Sequence, residues 1–289
     1  MALIAIPNIS EGRNEQRIAS CVRAVSSAGV RVLDVHSDAV HNRSVLTTTG
    51  SDQDLVEGMS ALATSLRYVD VSEHAGVHPR LGALDVCPFV PHCDDMQRAI
   101  VTARRTGETI ASRERLPVFF YGEAARRPET RELPSLRSKG LEDLVRRVER
   151  GLQPDAGPHE IDPRRGVVCV GARGVLIAFN VWLRAGTDVA AAIARTVRTS
   201  SGGLPGVRAL GLPRDDGTSQ VSMNLIDPSK TSIDQVYEAV ARAAERMGVR
   251  PFATELVGLV PERFMPAPDA QAARLLMAPG RSLESVLEG

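Results

Sequence analysis

Aromatic side chains are scarce: one Trp, three Tyr and six Phe in 289 residues. Single-stranded nucleic acid is held largely by stacking on such rings, so the shortage leaves few platforms for it. Net charge is missing as well, with 35 basic residues against 35 acidic. Nucleic-acid and anionic-membrane partners both demand a basic excess, and neither is expected. No apolar run approaches the roughly 18 residues that a membrane helix needs. The four cysteines (Cys21, Cys87, Cys93 and Cys169) are scattered and form no CxxC pair. Met1 leads directly into a short strand and then Pro7, without the pattern of a signal peptide. These absences set the expectation of a soluble, cytoplasmic chain with free thiols. The common signatures of nucleotide, hydrolase and zinc chemistry are missing too. Ser200–Gly206 and Gly166–Gly174 are glycine-rich but match neither GxxxxGK[ST] nor GxGxxG, and no HExxH or GxSxG occurs.

What is present is enough apolar material for a core, 43% of residues, in a chain long enough for two ordinary domains or one large one. Ala2–Ile6, Val30–Val35, Ser44–Thr49 and Leu84–Val90 read as strands. Asn14–Ser27 and Asp52–Leu66 carry helical spacing, as Ile18, Cys21, Val22 and Val25 illustrate. A polar loop is expected to carry His36, Asp38, His41, Asn42 and Arg43. The resulting order, β-α-β-β-α-β, recurs in the second half. There the strands are Leu176–Leu183, Val207–Leu212, Gln220–Ile226 and Phe252–Leu259. The helices are Asp188–Thr199, capped by Thr187 or Asp188, and Ser232–Met247. Between the halves lie a helix over Asp94–Arg115, a strand over Pro117–Tyr121, a charged helix over Leu141–Gly151 and a strand over Gly166–Val170. The expected fold is α+β: two tandem ferredoxin-like (βαββαβ) subdomains over 1–174 and 175–289. Each would be a sheet with helices on one face, and a ligand groove would lie between them. The Pro/Gly/Asp-rich stretch Gln153–Arg165 fits either a linker or a ligand clamp.

The chemistry concentrates in Glu73–Pro91, E-H-A-G-V-H-P-R-L-G-A-L-D-V-C-P-F-V-P. Its first half is too rich in Gly and Pro for helix or strand, and its second half is apolar enough to be a buried strand. A loop fastened to a rigid strand can present side chains in fixed positions. Pro79 biases His78 toward extended backbone, and an imidazole can take and give a proton near neutrality. His78 is therefore the candidate general base and acid. The plainer alternative is that His74 and His78 only hydrogen-bond to loop carbonyls. A metal set of His74, His78, Asp85 and His92 is a further alternative, although its spacing matches no zinc motif. Asn42, Arg43, Arg80 and Arg173 could grip carboxylates, because a guanidinium fork binds one bidentately.

Together these motifs resemble the formiminotransferase family over nearly the whole chain. The resemblance is carried by Pro7–Arg13 (P-N-I-S-E-G-R), His41–Val45 (H-N-R-S-V) and His74–Pro91. It continues through Val118–Ala125, Val170–Arg173, Leu176–Asn180, Gln220–Leu225 and Glu255–Pro261. It implies transfer of a formimino group from N-formimino-L-glutamate to N5 of tetrahydrofolate, the co-substrate, with no metal. Histidine catabolism and one-carbon metabolism are the implied setting. By the same resemblance His78 matches the family's catalytic histidine, with Arg80 and His36 beside it. Folate contacts are implied at Gly157, Pro158, Gly166 and Gly202. The partners implied are small-molecule substrates, a separate cyclodeaminase and a second copy in a homodimer. His36 stands where mammalian members carry an Asp, and Trp182 where the family has Asn. Those departures leave two alternatives: a folate-binding protein without catalysis, or a formimino or formyl transferase using another donor.

Overall fold

A computed structural model describes residues 2–76, 79–92, 95–137 and 139–289. The chain divides into two compact units, Met1–Arg173 and Gly174–Gly289, and both mix helices with a sheet. Among the described residues no helix is long and apolar enough to cross a membrane.

In the first unit the elements run β1 (Ala2–Ala5), β2 (Asn8–Ile9), α1 (Glu15–Ser26), β3 (Arg31–Asp38), β4 (Arg43–Thr49) and α2 (Asp52–Ser65). They continue with β5 (Leu84–His92), α3 (Met96–Glu114), β6 (Val118–Gly122), α4 (Pro128–Arg131), α5 (Leu133–Arg137), α6 (Gly140–Glu149) and β7 (Val168–Ala172). Pro7, which lacks an N–H, splits the central strand into β1 and β2; each piece pairs antiparallel with both β4 and β5. Beyond β4 lies β3, and beyond β5 lie β7 and β6 in parallel pairing.

The helices start where the sequence supplies acceptors. Asn14, Ser51 and Asp95 accept backbone N–H bonds from Arg17, Asp54 and Gln97 at 3.0, 3.2 and 3.0 Å. Helices α1, α2 and α3 bury Cys21, Val25, Leu55, Met59, Leu62, Ala103 and Ile110 against one face of the sheet. The expectation of helices on one face fails for this unit. Val118 and Phe120 point to the face of α3, whereas Phe119 and Tyr121 point the other way, onto Leu136 of α5 and Leu144 of α6. Alternation along β6 thus feeds two cores. Strand β3 is also longer than its apolar pattern suggests. His36 is not in a loop; it sits on β3 opposite Val45.

In the second unit the elements are β8 (Ile177–Leu183), α7 (Thr187–Val197), β9 (Val207–Pro213), β10 (Ser219–Leu225), α8 (Ile233–Arg246), β11 (Pro251–Val257), α9 (Gln271–Arg274) and α10 (Leu283–Glu288). The four strands form an antiparallel sheet in the order β11-β8-β10-β9. Alternate residues of β8 (Ile177, Phe179, Val181 and Leu183) share a core with Ala190 and Ile193 of α7 and Val236 and Val240 of α8. Helix α8 begins with a full capping box between Ser232 and Gln235. Helix α7 does not follow its expected cap. Gly186 is the N-cap and no side chain closes it, while Asp188 contributes only a first-turn charge toward the helix dipole.

One buried carboxylate ties the first unit together away from the His-bearing loop. Glu114, 4% exposed, accepts from Thr64 at 2.6 Å, from Arg67 at 2.7 and 2.9 Å, and from Arg165 at 3.1 Å. Burial alone would raise its pKa, but these hydrogen bonds override that and hold it below the usual carboxylate value. The stability it contributes is therefore complete above the unfolded-state value near 4.5 and is lost as pH falls through the depressed folded value. Glu114→Gln should cost roughly 2–3 kcal/mol at pH 7. That is below the about 3–5 kcal/mol of a wholly buried pair, because half of Arg67 is already in water. Urea unfolding from pH 7 to pH 3 should show a flatter acid limb in the variant; parallel curves would contradict the assignment. Two glycines offer a second check. Gly166 has φ +68° and a Cβ there would overlap the Leu81 carbonyl, whereas Gly202, at φ +82°, has open space around it. Gly202→Ala should cost about 1 kcal/mol for backbone strain alone, and Gly166→Ala clearly more. Equal unfolding midpoints would argue against the close approach.

Candidate active site

Val71 and residues 81–83 are held by bonds from two sides. Val71 N–H donates to Arg164 O at 2.8 Å, Ala83 N–H to Arg165 O at 3.2 Å, and Val167 N–H to Leu81 O at 2.9 Å. Gly82 and Gly166 complete that short antiparallel contact, so the residue expected to touch folate at 166 has a packing duty of its own. From the other side Ser10 bonds to Gly82 O through its hydroxyl and to Ala83 O through its N–H, both at 2.8 Å.

The P-N-I-S-E-G-R stretch is the brace for this loop. Asn8 Oδ1 accepts from Arg43 Nε at 3.0 Å. Glu11, 6% exposed, accepts the N–H groups of Arg13 and Asn14 at 3.0 and 2.9 Å, and these bonds outweigh burial to keep its pKa low. A Cβ at Gly12 would overlap Asp38 O and Arg43 N, so this tight passage requires glycine. Asn42, expected to grip a ligand, is engaged in the scaffold. Its Oδ1 accepts from Gly12 N at 2.9 Å, and its Nδ2 donates to Ala75 O at 3.2 Å. At φ +48° it turns the β3–β4 hairpin, a conformation Asn tolerates better than most residues.

At the base of the loop lies Asp85, on β5 and 2% exposed. Its Oδ1 accepts the Leu81 N–H at 2.8 Å, and its Oδ2 lies 3.5 Å from Arg43 and in direct contact with Arg137. Arg137, the last residue of α5, also donates to Pro79 O at 2.6 Å. Arg80 donates to the His74 ring, with 2.7 Å to Nε2, and to His41 O at 3.1 Å. His74 must be neutral to accept from a guanidinium. Burial first, and the Arg80 charge second, do hold its pKa below the usual value. His41 is in turn oriented by Asp38, whose carboxylate accepts its N–H at 2.8 Å and lies 3.5 Å from Nδ1.

Like charges crowd here. Burial, and then the neighbouring Arg137 charge, push Arg43 down to about 10. Burial likewise lowers Arg80 and Arg173. Tyr121, on β6, is raised by burial, with the Arg173 and Arg137 charges opposing that rise.

Of the residues singled out from the sequence, Arg43 and Arg80 therefore share one positively charged region, and Arg173 pairs with Tyr121. His78 lies outside the described residues. His36, half-buried on β3, is part of the hairpin that carries Arg43. Gly157 and Pro158 belong to the stretch that packs along β6, where Val118 bridges Ala156 and a Cβ at Gly157 would overlap Leu116 O. Gly202 belongs to the second unit, closing the turn Thr199–Ser201. The metal alternative loses its geometry. Asp85 and His92 stand at opposite ends of β5, roughly 20 Å apart at strand rise, and Asp85 is already committed to two arginines. Among the described residues no cluster of His, Cys, Asp and Glu is arranged to hold a metal ion. Sequence reasoning missed Arg137 and Tyr121. The only signal for Tyr121 was its place in Val118–Ala125, and Arg137 had none.

A profile described as formiminotransferase domain, N-terminal subdomain, matches residues 2–173, and one described as formiminotransferase domain matches residues 178–274. The chain is 39% identical over 266 residues to glutamate formimidoyltransferase of Streptococcus pyogenes serotype M1, covering 90% of this chain and 89% of that protein. It is 38% identical over 274 residues to glutamate formimidoyltransferase of Thermoplasma acidophilum, covering 92% and 90%. Against formimidoyltransferase-cyclodeaminase of Gallus gallus it is 38% identical over 271 residues, which is 90% of this chain and 50% of that protein. The chain belongs to the formiminotransferase family.

Proposed function

We propose that the protein transfers a formimino group from N-formimino-L-glutamate to N5 of tetrahydrofolate, releasing glutamate. The observation that carries this reading is the match over about nine-tenths of both chains to two glutamate formimidoyltransferases. The positively charged base of the His-bearing loop supports it, since both substrates carry glutamate carboxylates. In this reading His78 is the proton carrier. N5 must shed a proton as it bonds to the amidine carbon, and the glutamate nitrogen must gain one as its bond to that carbon breaks. One imidazole can do both in succession. Arg43, Arg80 and Arg173 hold substrate carboxylates, and the residues around Gly157, Pro158, Gly166 and Gly202 meet tetrahydrofolate. A separate cyclodeaminase would consume the 5-formiminotetrahydrofolate.

We also read both halves as ferredoxin-like. In each, β-α-β-β-α-β gives the sheet order fourth, first, third, second: β5-β1-β4-β3 in one and β11-β8-β10-β9 in the other. The first half then adds α3 through β7 to its fourth strand. The proposed subdomains, 1–174 and 175–289, follow the division into the two units to within one residue.

A second reading, folate binding without catalysis, draws on Trp182. Its ring lies under the Arg214 guanidinium, 3.4 Å from the centroid, and edge-on to Phe252. That stack leaves a bulky, positively capped surface where the family has the small amide of Asn. Incubation with tetrahydrofolate and N-formimino-L-glutamate, then acid conversion to the 5,10-methenyl chromophore, separates the two. The expected result is chromophore in proportion to enzyme; none with any formimino donor would leave only the binding reading. His78→Ala should lower transfer by about 10²–10⁴-fold, the usual contribution of a general acid–base group, with tetrahydrofolate affinity within a few-fold of normal. Retained turnover within a few-fold would remove His78 from the mechanism.

A further inference from the structure

We propose that Asp70 and Arg164 are positioning residues for the transfer reaction: their pair pins the start of the His-bearing segment to the same short strap that pins its end. This deepens the reading above and rests on it for the reaction that is served.

The strap is residues 164–167, immediately ahead of β7. The end of the segment meets it through Ala83 N–H on Arg165 O and Leu81 O on Val167 N–H. The start meets it at Arg164, which grips residues 70 and 71 twice. Its carbonyl accepts the Val71 N–H at 2.8 Å, and its Nε donates to Asp70 Oδ2, also at 2.8 Å. Asp70 gives its other oxygen to the segment itself. Oδ1 accepts the Ser72 N–H at 3.0 Å and the Ser72 hydroxyl at 2.6 Å. One carboxylate therefore closes the first turn of the segment and ties that turn to the strap. His74 N–H reaches back to Val71 O at 3.4 Å, so the ring that Arg80 bonds follows directly from this anchor. The Ser72 hydroxyl first, and Arg164 next, hold the Asp70 pKa down to about 2, so the pair is charged throughout the neutral range. Asp162 and Glu73 also act on the Arg164 charge, and Asp162 accepts the Arg164 backbone N–H at 2.9 Å.

The pair lies at the surface, with the Arg164 side chain 74% and the Asp70 side chain 22% exposed. An ion pair so open to water adds little to global stability. Its effect is on direction. Residues 72–80 leave the strap at Val71 and return to it at Leu81, so the way the chain departs sets where its side chains arrive. A misplacement of about 1 Å at a reacting group can cost roughly 100-fold in rate.

The test is steady-state formimino transfer by the full-length protein, with thermal unfolding and amide hydrogen exchange measured on the same variants. Asp70→Asn keeps an acceptor for Ser72 and loses the charge that faces Arg164. Arg164→Gln loses the guanidinium and keeps the carbonyl on Val71. Each should lower kcat by about 10- to 100-fold and leave KM within about threefold. The unfolding midpoint should move by no more than about 2–4 °C. The double variant should lose no more than the worse single one, because both changes break the same bond. Arg164→Lys, which keeps the charge, should recover most of kcat. Exchange at Val71 and His74 should quicken in both single variants, with Leu81 and Val167 as in wild type. A kcat within about twofold of wild type, losses that multiply in the double variant, or a kcat that falls only in step with the midpoint would overturn the proposal. If the wild type transfers no formimino group, the reaction proposed above fails. Exchange then judges the pin by itself, and unchanged protection at Val71 and His74 would dismiss it.

Discussion

A single buried carboxylate, Asp85, fixes how the loop meets the sheet. It sits on a rigid central strand, holds the loop's Leu81 N–H, and draws in Arg43 from one hairpin and Arg137 from a helix far along the chain. An interior carboxylate is tolerated only if its charge is met and its oxygens are bonded. Meeting that demand obliges three separate segments to converge. Loop, hairpin and helix α5 are positioned by the same requirement.

The rest of the first unit supports this junction. Ser10, Glu11 and Gly12 spend their polar groups and their small size on bracing the loop and the hairpin rather than on a ligand. Glu114 repeats the principle at lower stakes, fastening Arg165 and so the end of the 153–165 stretch to α3. In both places an arginine near a loop end is locked by a buried acid. Loops otherwise lose order easily, because each free residue retains about 1–2 kcal/mol of backbone entropy. Strand β6 and helices α4 to α6 are the addition that makes the junction possible, since they bring Arg137 back across the second face of the sheet.

The regular elements were legible in the sequence because their signals were local. Cys21 and Val25 at helical spacing, Ser232 with Gln235 as a cap, and the alternation of Ile177, Phe179 and Val181 each decide structure within a few residues. The failures share a different cause. Strand β3 runs through His36 to Asp38 because β4 pairs with it, although apolar alternation stops at Val35. Helices α4 and α5 are four and five residues long, too short to show a period. Arg137 was invisible for the same reason: its partner Asp85 is 52 positions away, and nothing in the intervening sequence announces the return. Asn42 was read as a ligand group from its neighbour Arg43, but its left-handed backbone and two loop bonds give it a scaffold role. Pattern finds elements; it does not find pairings that only tertiary structure creates.

The most direct measurement of the central claim is native-state hydrogen exchange on wild type and Asp85→Ala, read at Leu81, Ala83 and Val167, with Val221 and Met223 of the second unit as controls. If Asp85 organises the loop, its removal will speed exchange at the first three amides by at least about tenfold and leave the controls unchanged. Unaltered protection at Leu81 and Val167 would mean that the loop is held without Asp85, and the account built on that carboxylate would be wrong.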